Sequence, residues 1–143
     1  MENARYPDQI ARMYDRMAAA RPDPWRPGYH LSPLAGTLGD PDGLCQRDGT
    51  YHIFYVTSPL ACATSQRTPC VWGHCTTRDF IHYRRETTAL FPDTPRDRDG
   101  VYSGSGLVRD GRLLLYYTGN VRHPGNYDYI HAGREQNVLR AES

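Results

Sequence analysis

The hydrophobic positions along the chain change their period once. Between residues 7 and 20, Ile10, Met13, Tyr14 and Met17 recur at spacings of three and four, which gathers them on one side of a helix. Asp8 stands where a cap belongs with Pro7 ahead of it, and the run gives way to RPDPWRPG, whose three prolines forbid continuation. From residue 28 the texture becomes one of short apolar and aromatic segments separated by turn signals. In GLCQRDGTYHIFYV (43–56), Asp48-Gly49 lies between strand-like runs at roughly 44–47 and 50–56, the pattern of a two-residue hairpin. GLVRDGRLLLYY (106–117) repeats it at Asp110-Gly111, 62 residues further on. Between the two, CVWGHCTTRDFIHYRRE (70–86) predicts two more strands with a turn around Arg78-Asp79.

A recurring unit of about sixty residues with four short strands follows the logic of a propeller blade. The chain divides accordingly into a helical leader and Pro-rich linker (1–27) and an all-β part (28–143) that accommodates fewer than two such units. The leader is expected to pack on the main body through its Met and Tyr stripe.

Composition supports a β-rich chain with a small aliphatic supply. Leu, Ile, Val and Phe number 24 of 143 residues, a share at which disorder is an option, but that outcome also requires a high net charge and here it is +1. Eleven Tyr and two Trp carry much of the buriable surface instead. All 17 basic residues are Arg, balanced by 16 acids, so no basic excess points to nucleic acid or an anionic membrane. No apolar run approaches the ~18 residues of a membrane span, and MENARYPDQIARMYDR is charged where a signal peptide is apolar, so a cytoplasmic protein is expected. Cys45, Cys62, Cys70 and Cys75 then read as free thiols. The spacing of Cys62, Cys70, His74 and Cys75 lacks the paired knuckles of a zinc site; no metal and no cofactor is expected.

One carboxylate stands out. Asp40 lies in LGDPDG (38–43), between Gly39 and Pro41 and ahead of the predicted strand. Pro41 pushes the preceding residue out of the helical region, so the carboxylate is held by a stiff turn. Such a turn is ordinary loop chemistry or a preorganised carboxylate at the mouth of a β structure. The company it keeps favours the second. Trp72-Gly73-His74 precedes a strand, Tyr102-Ser103-Gly104-Ser105 opens one and Tyr117-Thr118-Gly119-Asn120 closes one. At equivalent strand ends of a radial array these residues would ring a common pocket, and aromatic faces with short polar groups suit a sugar.

The ordered series RPGYHLSPLAGTLGDPDGL, GTYHIFYV, WGHCTTRDFIHY, ALFPD, GVYSGSGLVRDGRLLLYYTGNVR and QNV resembles glycoside hydrolase family 32, which contains invertases, fructanases and bacterial sucrose-6-phosphate hydrolases. The resemblance runs from about Trp25 to Ser143, and the leader looks like that of the bacterial intracellular branch. It implies the N-terminal part of a five-bladed β-propeller with a central funnel, and retaining hydrolysis of terminal β-D-fructofuranosides such as sucrose, sucrose 6-phosphate or a fructan. By position in the motif Asp40 corresponds to the nucleophile, and Leu38, Gly39, Asp42, Val56, Trp72, Tyr102 and Ser103 fall where the family binds its substrate.

Retaining hydrolysis needs two carboxyl groups about 5–5.5 Å apart. The family's acid/base is a Glu in a Glu-Cys motif and its stabiliser an Asp in an Arg-Asp-Pro motif; both lie beyond the motifs seen here. The four Glu are Glu2, Glu86, Glu135 and Glu142, none followed by Cys. Within the matched motifs, Gly39 and Asp42 stand where the family usually carries Asn, and Val56 where it carries Gln. Asp42 brings a charge that bears on the ionisation of Asp40, and Val56 leaves a sugar hydroxyl unpaired, a cost of about 1–3 kcal/mol. The chain is therefore expected to be inactive alone. Other readings are a non-catalytic β module binding sugar or protein, and one half of a split enzyme whose partner is a separately encoded C-terminal half. Arg122 is a candidate for a phosphorylated sugar or a solvated surface residue, and the spacer 57–70 is expected at the pocket rim.

Overall fold

The computed structural model describes residues 6–20, 24–61 and 68–143. The elements are α1 (Tyr6–Ala19), β1 (Thr37–Arg47), β2 (Thr50–Ser58), β3 (Val71–Thr77), β4 (Tyr83–Arg85), β5 (Val101–Arg109), β6 (Arg112–Arg122) and β7 (Arg134–Glu142). They form two antiparallel meanders, a four-stranded sheet ordered β1-β2-β3-β4 and a three-stranded sheet ordered β5-β6-β7. One full blade and most of a second are present, as the sixty-residue unit predicts.

Both hairpin turns fall on the Asp-Gly pairs. Asp48 and Gly49 have φ 52° and 74°, and Asp110 and Gly111 have 53° and 75°. Two successive positive φ values define the turn whose twist matches that of the flanking strands.

The first strand is longer than its apolar pattern indicates. β1 starts at Thr37, and Asp40 lies inside it rather than in a turn ahead of it. The pairing with β2 slips twice, between Leu38 and Pro41 and between Asp42 and Cys45. β1 is an edge strand, so Pro41 can sit in it without leaving an empty place in a ladder, and the slips aim side chains away from strict alternation. Trp72 likewise lies within β3, and β6 continues two residues beyond Asn120.

The two sheets share one core. Phe54 and Trp72 from the first sheet, with Leu90 bridged to Trp72, pack with Val101, Leu113, Leu115 and Tyr117 from the second. Two glycines set how closely the inner strands approach. A Cβ on Gly106 would lie 2.8 Å from the carbonyl oxygen of Gly43, and Gly43 itself has φ +55° and is walled by Phe54, Trp72 and Leu115. A side chain at Gly106 would force β1 and β5 apart, and one at Gly43 would press into the core.

A smaller cluster ties the leader down. Tyr6 and Ile10 are buried with Leu60 and Val71, and Met13, Tyr14 and Phe91 lie against them. The Tyr6 hydroxyl donates to the carbonyl of Pro69, and burial pushes its pKa up to about 12. Met17, expected on the same stripe, is 40% exposed. Among the described residues no helix is long and apolar enough to cross a membrane.

Candidate active site

The inner strands of the two blades, β1 and β5, meet near their starts, each with an irregularity there. β5 slips its pairing between Tyr102 and Gly104, leaving Ser103 as the extra residue, opposite the slip at Gly39-Asp40 in β1. Ser103 Oγ donates to Asp40 Oδ2 at 2.9 Å. One residue further along, the Gly104 N–H donates to Asp42 Oδ1 at 3.0 Å. Two bulges thus convert a strand-to-strand contact into a side-chain site.

Asp40 and Ser103 are exposed, whereas Asp42 retains 5% of its surface and its Oδ2 has no hydrogen-bond partner. Burial raises the Asp42 carboxyl above its ordinary range; the Gly104 amide opposes this and the charge of Asp40 adds to it. Leu38 pairs with Thr57, and a Cβ on Gly39 would lie 3.2 Å from the carbonyl oxygen of Val56. The β1–β2 pairing therefore brings Leu38, Gly39 and Val56 beside Asp40.

Trp72 does not line an open pocket. It is 0% exposed, set between Phe54 and Tyr117 with ring centroids 6.1 and 6.2 Å away. A ring so enclosed has no face for a sugar. It acts on the site from beneath, because its indole N–H donates to the carbonyl of Tyr102 at 3.0 Å, next to Ser103. Tyr117 and Asn120 are also interior, with the Tyr117 hydroxyl donating to buried Asp97 at 3.1 Å.

Arg122 is partly buried. Its guanidinium stacks on Tyr129, 4.2 Å from the ring centroid, a cation–π contact. Of the rim spacer 57–70, residues 62–67, including Cys62, lie outside the described residues. Cys45 and Cys70 are partly buried and Cys75 fully, and burial pushes the Cys75 thiol up to about 11.

The glutamates are engaged elsewhere. Glu86 accepts from Thr76 at 2.8 Å and lies 3.4 Å from Arg84. Glu135 lies 3.3 Å from His123, and Glu142 contacts Arg112 and Arg140. Glu2 is outside the described residues.

Two features escaped sequence reasoning. At the far end of the first blade a cavity of about 630 Å³ is lined by Arg47, His52, Arg78, His82 and Glu86, among others. At its floor His52 Nδ1 lies 3.1 Å from His74 Nε2; burial holds both rings below the ordinary imidazole range, His74 at about 4. The second feature is a repeated turn. In Asp79-Phe80-Ile81-His82 and in Asp128-Tyr129-Ile130-His131 the aspartate accepts the amides two and three residues on and pairs with the histidine ring. The signal was the repeated Asp-aromatic-Ile-His.

An exposed carboxylate held by a hydroxyl across two rigid strands is suited to attack an electrophilic carbon. Residues 30–142 match the family model described as the glycosyl hydrolases family 32 N-terminal domain. The chain is 43% identical over 121 residues to the sucrose-6-phosphate hydrolase of Klebsiella pneumoniae, covering 85% of this chain and 25% of that protein. It is 41% identical over 107 residues to the raffinose invertase of Escherichia coli, covering 75% and 22%. Among solved structures, sucrose-6-phosphate hydrolase from Lactobacillus gasseri superposes with a TM-score of 0.72 at 30% identity, over 94% of this chain and 25% of that one. The Bombyx mori GH32 beta-fructofuranosidase BmSUC1 gives 0.76 at 29% identity, over 99% and 28%. The chain thus spans about a quarter of the length of these relatives.

Proposed function

The chain belongs to glycoside hydrolase family 32, and from that premise we propose that it supplies the nucleophile half of a site for retaining hydrolysis of terminal β-D-fructofuranosides, sucrose or sucrose 6-phosphate. The observation that carries this reading is the Asp40–Ser103 contact between two inner strands. In this reading Asp40 attacks the anomeric carbon of fructose, Ser103 orients the attacking carboxylate, and Leu38, Gly39, Val56 and Tyr102 border the sugar. The relatives it matches include proteins named sucrose-6-phosphate hydrolase, and a variant of the Bombyx mori enzyme is known in complex with sucrose, which supports a sugar of this class.

Among the described residues the glutamates are engaged away from Asp40, and in this reading none of them protonates the leaving group. Without such a proton donor the reaction lacks assistance typically worth ~10²–10⁴ in rate. The 143-residue chain incubated with sucrose is expected to release no glucose above an Asp40→Asn control. Residues 30–142 grafted in place of the matching segment of the Klebsiella pneumoniae enzyme are expected to restore hydrolysis, and Asp40→Asn in the graft to remove it. An active graft that tolerates Asp40→Asn overturns the assignment.

A second reading, in which a separate polypeptide completes the propeller, draws on the outer face of the second sheet. There Leu107, Tyr116 and Val138 are 42%, 36% and 83% exposed. Mixing the chain with the remaining three quarters of the same relative, supplied separately, is expected to give Asp40-dependent turnover if this reading holds.

A further inference from the structure

The structure places a second aspartate where a charge is costly. Asp42 retains 5% of its surface, receives one N–H, from Gly104, and has a second carboxyl oxygen with no partner among the described residues. Asp40 lies two residues away on the same strand, exposed and hydrogen-bonded by Ser103. Two neighbouring carboxyl groups titrate as a pair, and the first charge settles on the better solvated member. A buried carboxylate with a single donor loses far more solvation than a buried carboxylic acid.

We propose that Asp42 is a positioning residue that works as the neutral, protonated member of an aspartate pair, clamping the β5 bulge through Gly104 and leaving the pair's single negative charge on Asp40. The inference rests on the reading of Asp40 as nucleophile only for its purpose. The clamp fixes the bulge that carries Ser103, so the hydroxyl meets Asp40 from one direction; neutrality of Asp42 spares Asp40 a repelling neighbour. The groups around Asp42 agree with this. β2 sets Phe54 opposite it, β5 sets the Gly104 amide against it with Tyr102 two residues away, and Asp40 is the charge that bears on it among the described residues. The direction in which burial moves the Asp42 carboxyl is the same.

The test uses carboxyl-carbon NMR of the aspartates in the 143-residue chain across a pH titration, so it needs no turnover. The Asp42 carbon is expected to keep its protonated shift after exposed Asp48 and Asp110 have lost their protons. Asp42→Asn, a neutral group of the same shape, is expected to leave the hydrogen exchange of the Gly104 amide slow. Asp42→Ala is expected to speed that exchange by about fivefold or more, the loss of one buried hydrogen bond. Asp42 ionising together with the exposed aspartates overturns the proposal, as does an Asp42→Asn chain whose Gly104 amide exchanges about fivefold or more faster than in the parent. Should Asp42→Ala fail to fold, the parent titration and the Asp42→Asn amide exchange decide alone. A chain that meets these expectations yet yields an inactive graft refutes the hydrolase reading and leaves the clamp standing.

Discussion

At the level of single residues, the two blade ends hold ionisable groups in opposite ways. Asp40 is kept in solvent, while His52 and His74 are stacked, 5.2 Å between centroids, and kept neutral by burial. His74 has a folded value of about 4 against an ordinary 6.5. The unfolded chain therefore takes up this proton first, and stability falls as pH drops below about 6.5 and goes on falling to about 4. Arg47 adds to the effect at His52, and Glu86 opposes it at both rings. Thermal unfolding at pH 7 and pH 5 is expected to differ by about 3 °C on this account, about 1 kcal/mol after allowance for the solvent that reaches the ring. His74→Gln is expected to remove most of that difference; an unchanged pH dependence would show the pair to be irrelevant. Asp40 was legible in the sequence because Gly and Pro flank it. The burial of Trp72 was not, because an aromatic residue beside Gly reads alike as core or pocket until the neighbouring sheet is in place.

Among the elements, the hairpins were the most legible, since Asp-Gly between alternating strands leaves the backbone one comfortable turn. β1 was the least legible. Gly39, Pro41 and Gly43 erase its apolar alternation, and only its place at the sheet edge, with β5 alongside, makes a strand of those residues. The same glycines make a testable joint. Gly106→Ala sets a methyl 2.8 Å from the Gly43 carbonyl oxygen and 3.0 Å from its Cα, both backbone atoms that cannot rotate away. It is expected to cost about 2 kcal/mol, within the range for overpacking, read as a lowered midpoint in urea. Gly28→Ala, with nothing within 4 Å and no positive φ, is the matched control and is expected to be silent.

For the molecule as a whole, the core spans both sheets, so neither blade owns it. Leu115 is 7% exposed and packs in the cluster that joins Phe54 and Trp72 to Tyr117. Leu115→Ala is expected to cost about 2–4 kcal/mol and to lower the unfolding of both blades together, seen as coincident transitions by near-ultraviolet and far-ultraviolet circular dichroism. Two separated transitions would mean that the blades are independent. The propeller logic was legible from the 62-residue recurrence of Asp-Gly, but the shared core was not, because it is built by residues as distant in sequence as Phe54 and Tyr117.

The contact between Ser103 and Asp40 joins positions 63 residues apart, and this orders events while the chain is being made. The carboxylate leaves the ribosome early and waits; the hydroxyl that meets it arrives on β5, and β5 has no sheet of its own until β6 has followed as far as Arg122. During that interval the nascent chain carries the Asp40 side chain without the Ser103 hydroxyl that meets it in the fold. Competence at this position is thus acquired late in synthesis, as a property of the seam between two successive repeats and of neither repeat by itself.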